Sequence, residues 1–347
     1  MLTTSSPLFA ADFVETCRIA LSRSAVKPGE LVMIYSDALT DPGYVAAFWA
    51  AARELGAEAV QVSVTAIPLS GSGRVENRTV VSERMTTALS AANIVIDISS
   101  GGLLYSDARN DLLKAGSRIL RAREPWDVLR RLIPDPLVKL RSINGAKRLA
   151  EARTIQIRSR AGTNLKVQKG DRPVECQYGA ADLAGRWDHW PSGMVYCAPL
   201  EETLEGELVI DRGDLLFPPN LYVRDPIHCV FKDGVMTKME GGADAVIFKE
   251  YLYRSGNSNC LRLAHLGWGT EHRARWETFA IRGHAGGGSV EARSHYGNVL
   301  FALGENRDLG GSNDAPVHTD IALRCASLEL DGKTIVEDGK IVAEGLS

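Results

Sequence analysis

Hydrophobic positions along the chain fall into two textures. In the first half, apolar residues recur at helical spacing over 12–23, 44–55, 83–92 and 108–115. Between these stretches lie short β-branched or aliphatic runs over 31–35, 59–64, 94–98 and 118–120. A strand buried on both faces reads as an unbroken apolar run, and helices of this length between such runs are the crossovers of a parallel sheet. The pattern predicts an α/β fold that opens with a doubly wound parallel-sheet domain over 1–150. A basic helix over 136–153 is expected to bridge to the rest.

Beyond that bridge the texture changes. Strand-like runs over 154–158, 207–211 and 227–231 are punctuated by Gly, Asp and Pro. Asp233-Gly234, Asp331-Gly332 and Asp338-Gly339 each sit between β-prone segments, which is the signature of a tight hairpin. Helical spacing returns over 243–253 and 290–303. The second domain, 151–347, is therefore expected to be α+β with a mainly antiparallel sheet.

Composition narrows the function classes. A hydrophobic fraction of 45%, a charged fraction of 24% and a net charge of −3 describe an ordinary globular chain with room for two cores. No global basic excess invites nucleic acid or anionic lipid. No apolar run approaches the length of a membrane span, and the first residues lack the basic start and apolar core of a secretory signal, so a cytoplasmic protein is expected. The six cysteines are scattered without a C-x-x-C pair, which excludes a zinc ribbon or thioredoxin-like motif and predicts reduced thiols. Neither Ser70-Gly71-Ser72-Gly73 nor Gly101-Gly102 forms a phosphate loop or a dinucleotide fingerprint, so no nucleotide cofactor is expected.

The chemistry concentrates in the second half, since no histidine precedes His189. If 317–322 runs as a strand, His318 and Asp320 project from one face, where an imidazole and a carboxylate can meet one cation. His265, at the end of a strand-like run and before a Gly-rich turn, is a possible third donor. Two imidazoles with one carboxylate form the facial triad of non-haem iron(II) oxygenases, with open positions for substrate and dioxygen. Spacing alone does not select His265 over His189, His228, His272, His284 or His295, and an H-x-D pair also arises as a local hydrogen bond.

The strings GRWDHWPSG, HLGWG, RSHYGNVLFALG and PVHTDIALR, in that order, resemble the 2,5-dihydroxypyridine 5,6-dioxygenases of bacterial nicotinate degradation. The likeness covers most of the second half and continues more weakly through Ile119-Leu120 and Glu124-Pro125. It implies Fe(II) held by His265, His318 and Asp320, a hydroxypyridine and dioxygen as substrates, N-formylmaleamate as product and a homo-oligomer. It also implies a fold similar to thermophilic metallo-aminopeptidases. His189 would then act as an acid/base beside the metal rather than on it, because an imidazole titrates near neutrality. Trp187, with Trp190 and Trp268, is a candidate pocket wall; Arg293 and Tyr296 are candidates to bind the ring's oxygen substituents. For each the alternative is a core or surface role. Two positions depart from the family pattern: Gln177 stands where an acidic residue is common, and Tyr105 where a histidine can close the pocket. Both bear on proton handling and pocket size. The rival readings are a metallo-aminopeptidase, which normally needs several carboxylates for a metal pair, and a non-catalytic binder of small aromatic acids, which has no need of metal ligands.

Overall fold

The structure, a computed structural model, describes residues 7–66, 81–104, 106–282 and 289–346. Two compact units emerge. One takes the chain up to Asp135 together with Gln177–Ser192, and the other takes Pro136–Cys176 and Gly193 onward.

The first unit is a parallel sheet. Its strands stand in the order Glu58–Val64, Leu31–Asp37, Ile94–Asp97, Arg118–Arg121, Trp187–His189. Alternation along each strand sends Ile34, Ile94 and Ile96 into a core with Phe48 on one face. Met33, Tyr35, Val95 and Ile119 form a second core on the other. Helices follow the predicted segments closely, at Pro7–Arg23, Pro42–Glu54, Glu83–Leu89 and Asp107–Lys114. Three of them start on side-chain caps: Asp41 accepts the Gly43 N–H, Ser82 that of Met85 and Ser106 that of Arg109.

The second unit contains an eight-stranded and a seven-stranded sheet, with antiparallel pairings throughout both ladders. One continuous core draws Ile155, Ile157, Leu165 and Leu208 from the first sheet and Val195, Leu266, Trp268 and Phe301 from the second. The opposite face of the seven-stranded sheet carries Met194, Tyr196, Leu300 and Ala322, packed with Trp276 and Phe279. All three expected hairpins are present. Asp233 and Gly234 (φ 50° and 75°), Asp331 and Gly332 (49° and 76°), and Asp338 and Gly339 (45° and 78°) adopt the paired positive φ of the turn that matches strand twist.

Three expectations are revised. The helix over 290–303 is a short helix, Ser289–Ser294, followed by the strand Val299–Gly304 at the centre of the seven-stranded sheet. A six-residue apolar run buried on both faces has no periodicity to separate strand from helix. The segment carrying Trp187, Asp188 and His189 is not part of the antiparallel half; it returns to pair with Arg118–Arg121 as the fifth parallel strand. The bridging helix, Pro136–Glu151, lies wholly inside the second unit, so the units part at 135/136 rather than near 150. None of the six cysteines, all among the described residues, is joined in a disulfide. Among the described residues no helix is long and apolar enough to cross a membrane.

Candidate metal centre

Three strands of the seven-stranded sheet build the site. His318 and Asp320 lie on the strand His318–Leu323 and, two apart, share a face. Across the ladder Asp320 is opposite Ala302 and His318 opposite Gly304 on the central strand. His265 comes from the far side of that strand, within Leu263–Gly269 rather than at its end. There the register slips: Leu263 pairs with Leu303, but Leu266 pairs with Phe301, so this strand carries one residue more than its partner. Such a bulge re-aims a side chain, and it falls at Ala264-His265. The glycines read as a turn after His265 are strand residues instead. A Cβ on Gly267 would lie 1.9 Å from the Val195 carbonyl oxygen, so the close approach of the neighbouring strand requires glycine there.

Ala302, opposite Asp320 on the central strand, leaves room for the flanking side chains to converge. Gly304 (φ 97°) is required because a Cβ there would lie 2.1 Å from the Val317 carbonyl oxygen. His265 Nε2 is 3.0 Å from Asp320 Oδ1, and His318 Nε2 is 3.4 Å from the same oxygen. The two imidazoles stack at 5.1 Å with 29° between their planes. One ligand atom from each of the three residues lies within 4.8 Å of the other two, and this is the one such cluster among the described residues. His318 Nδ1 is 2.7 Å from the Glu305 carbonyl oxygen. A carbonyl only accepts, so Nδ1 carries a proton, and Nε2 is the nitrogen turned toward Asp320. Arg293, on the short helix Ser289–Ser294, places Nη1 2.5 Å from Asp320 Oδ2, leaving Oδ1 for the imidazole side.

Electrostatics suit a cation. Burial works to raise the Asp320 carboxyl, but the Arg293 guanidinium and then the two imidazoles outweigh it and hold the group well below the usual carboxylate range. Burial lowers His265, opposed by its bond to Asp320, which favours the neutral imidazole that a metal needs. The donor set therefore fits a divalent cation held on one face by two nitrogens and one oxygen, with other positions open.

The sequence model for the 2,5-dihydroxypyridine 5,6-dioxygenase family (NicX) matches residues 12–343. This chain belongs to that family. A 2,5-dihydroxypyridine 5,6-dioxygenase from Pseudomonas putida KT2440 is 33% identical over 97% of this chain and 98% of its own length. The structure of 2,5-dihydroxypyridine dioxygenase from Pseudomonas putida KT2440 superposes with a TM-score of 0.93 at 33% identity, covering 97% of this chain and 99% of that one. AmpT from Thermus thermophilus shares the fold alone, with a TM-score of 0.64 at 14% identity over 96% of this chain and all of its own.

Against the family pattern, the remaining site candidates are distributed as follows. His189 ends the last parallel strand of the first unit, 6% exposed, edge-on to Trp187 at 5.1 Å. Trp187 in turn lies under the Arg109 guanidinium at 5.2 Å. Gln177 accepts from Ser192 Oγ at 3.0 Å. In the second unit, Arg293 grips Asp320, and Tyr296 packs against the main core beneath Arg141, 4.9 Å from its ring. Trp190 and Trp268 are fully buried core residues of the first and second unit respectively, not pocket walls. Trp190 Nε1 donates to the Leu132 carbonyl at 2.9 Å. Of the other histidines, His228 is exposed on a strand, His272 meets Arg141 and His295 packs edge-on to Trp276. Tyr105 and His284 lie outside the described residues. Sequence reasoning missed the Arg293–Asp320 contact and the small residue Ala302 opposite Asp320. A single alanine within an otherwise bulky apolar run was the available signal for the latter.

Proposed function

We propose that this chain is a mononuclear iron(II) dioxygenase that opens the ring of 2,5-dihydroxypyridine between the carbon bonded to nitrogen and the adjacent hydroxyl-bearing carbon. One dioxygen is consumed, both its atoms enter the product, and the product is N-formylmaleamate. The observation that carries this reading is the convergence of two imidazole nitrogens and one carboxylate oxygen on one sheet face. A two-metal hydrolytic site draws on several carboxylates, whereas this cluster contains one.

His265, His318 and Asp320 are the metal ligands in this reading. When bound, iron(II) supplies the redox-active centre through which electron density passes from the electron-rich ring to dioxygen. Arg293 keeps Asp320 ionised and confines it to one donor oxygen, which supports open positions for substrate and dioxygen. The Glu305 carbonyl fixes the His318 tautomer. His189 takes the substrate's hydroxyl proton and returns it after ring opening, supported by a neutral imidazole's affinity for protons near pH 7. Trp187, Gln177, Tyr105, Arg293 and Tyr296 are assigned to substrate orientation, which matters because hydroxyls on opposite sides of the ring cannot chelate one ion together. The family resemblance supports a homo-oligomer, and scattered cysteines without a C-x-x-C pair are in keeping with a reducing compartment such as the cytoplasm.

The test is anaerobic reconstitution with iron(II), followed by oxygen-electrode and absorbance assays with 2,5-dihydroxypyridine. Stoichiometric oxygen uptake with loss of the ring chromophore, abolished in His318→Ala, is the expected result. A metal-loaded protein that consumes no oxygen with this substrate overturns the substrate assignment. His189→Ala that binds iron and turns over normally removes the acid/base role.

A further inference from the structure

Both imidazoles of the cluster depend on backbone held from below. His318 is oriented by the Glu305 carbonyl, and the next residue, Asn306, reaches the other side of the site. Asn306 Nδ2 donates to the carbonyl of Ala264, the residue before His265, at 3.1 Å. The same nitrogen donates to Glu201 Oε1 at 2.9 Å, and Asn306 Oδ1 accepts the Asn313 N–H at 2.8 Å. Asn306 is 1% exposed and Glu201 3%. Glu201 is anchored by the Ser312 N–H and the Arg172 guanidinium, both at 2.7 Å. Burial alone would raise its carboxyl, but the Ser312 N–H, the Asn306 amide and Arg172 together hold it below the usual range. A Cβ on Gly311 would fall 2.1 Å from Asn306 Cγ, so the loop presses its backbone flat against this amide.

We propose that Asn306, anchored by Glu201, is a positioning residue that sets the separation of His265 and His318 and thereby the affinity of the site for a divalent cation. The inference rests on the metal-site reading above. A carboxamide suits the position because both hydrogens of one nitrogen are used, toward Glu201 and Ala264, while the oxygen serves a backbone N–H. A carboxylate of the same shape cannot donate to either. Loss of the Ala264 contact frees the bulge that aims His265, and loss of the Glu201 contact frees the segment that carries the Glu305 carbonyl.

The experiment uses the full-length protein stripped of metal, titrated anaerobically with cobalt(II). Affinity is read by chelator competition, ligand geometry by the d–d absorption spectrum, and fold by the melting temperature of the metal-free form. Asn306→Asp is expected to weaken cobalt(II) binding by about 10–100-fold, the usual scale for groups that orient metal ligands, and to alter the spectrum. In Glu201→Gln/Asn306→Asp the glutamine donates to the new carboxylate, which restores that contact with reversed polarity but gives up the Oε1 acceptor of the Ser312 N–H, while the Ala264 carbonyl stays unserved. This double variant is expected to melt above Asn306→Asp, because the like charges of residues 201 and 306 are removed, but to remain at least about tenfold weaker than wild type in cobalt(II) affinity. It also carries the test if Asn306→Asp alone does not fold. Asn306→Asp binding within about twofold of wild type, or affinity recovering in step with melting temperature, overturns the positioning role. Wild-type protein that takes up no cobalt(II) overturns the metal-site reading, and the inference falls with it.

Discussion

Ala302 offers the most direct perturbation of the site, because it lies opposite Asp320 without supplying a ligand. His265 and Asp320 belong to strands on either side of the central one, so their backbones are separated by about two strand spacings, roughly 9–10 Å. Their polar atoms nonetheless meet at 3.0 Å above Ala302, which is fully buried and directly opposite Asp320. Replacing Ala302 with leucine inserts a branched side chain between them. Overpacking of a filled interior costs about 1–3 kcal/mol. The central strand is hydrogen-bonded on both sides, so the adjustment falls on the flanking side chains, chiefly His265 at its bulge. If that strain is relieved whenever the ligands spread, it appears as lost metal affinity of about 5–150-fold, at 1.4 kcal/mol per tenfold. Chelator competition with iron(II) or cobalt(II) under argon measures it, with melting curves of the metal-free protein alongside. Leu303→Met, on the opposite face of the same strand, is the control; it should shift the melting temperature and leave metal affinity alone. Ala302→Leu protein that binds metal as tightly as wild type would refute the convergence of the three residues over this strand.

Other consequences can be checked independently. Arg293→Met removes the main group holding Asp320 ionised; because metal and proton compete for that carboxylate, affinity should fall more steeply between pH 8 and pH 5 than in wild type, and parallel curves would contradict the assigned contact. Burial pushes the Asp214 carboxyl up to about 7 from an ordinary 3.8, so the folded state retains a proton that the unfolded chain releases. That contribution is complete below the unfolded value and is lost as pH rises through about 7, at up to about 1.4 kcal/mol per pH unit. Urea unfolding of the metal-free protein should therefore show wild type losing stability relative to Asp214→Asn between pH 5 and 7, then running parallel above. Gly267→Ala places a Cβ 1.9 Å from the Val195 oxygen and should destabilise by about 3–5 kcal/mol. A near-normal melting temperature would argue against the register of these strands.

Much of the first unit was legible because its signals are local. Apolar positions at helical spacing and short β-branched runs each specify their element without reference to the rest of the chain. The Asp-Gly turns were legible for the same reason, since two consecutive positive φ values leave few residue choices. The shared face of His318 and Asp320 needed only the two-residue period of a strand. What escaped was set by distant partners. His265 is inside a strand because Gly267 lets Val195 approach, a contact invisible in the string HLGWG. Val299–Gly304 became a strand because ladders form on both its sides. The role of Arg293 depends on a helix end meeting a strand twenty-seven residues onward, and no spacing rule announces that contact.

The return of Gln177–Ser192 to the parallel sheet carries a consequence for synthesis on the ribosome. Residues 1–135 emerge first, yet the strand that completes their sheet is made only after 136–176, which belong to the other unit. Until then Arg118–Arg121 presents a bare edge, open to pairing with any extended chain nearby. The nascent N-terminal unit is thus an incomplete template during elongation, a window in which chaperone binding would be most useful. Dissection follows the same logic. A fragment cut at 135 or 150 leaves this edge unpaired and should aggregate, whereas one in which a short linker joins 135 to 177 and continues to 192 carries all five strands.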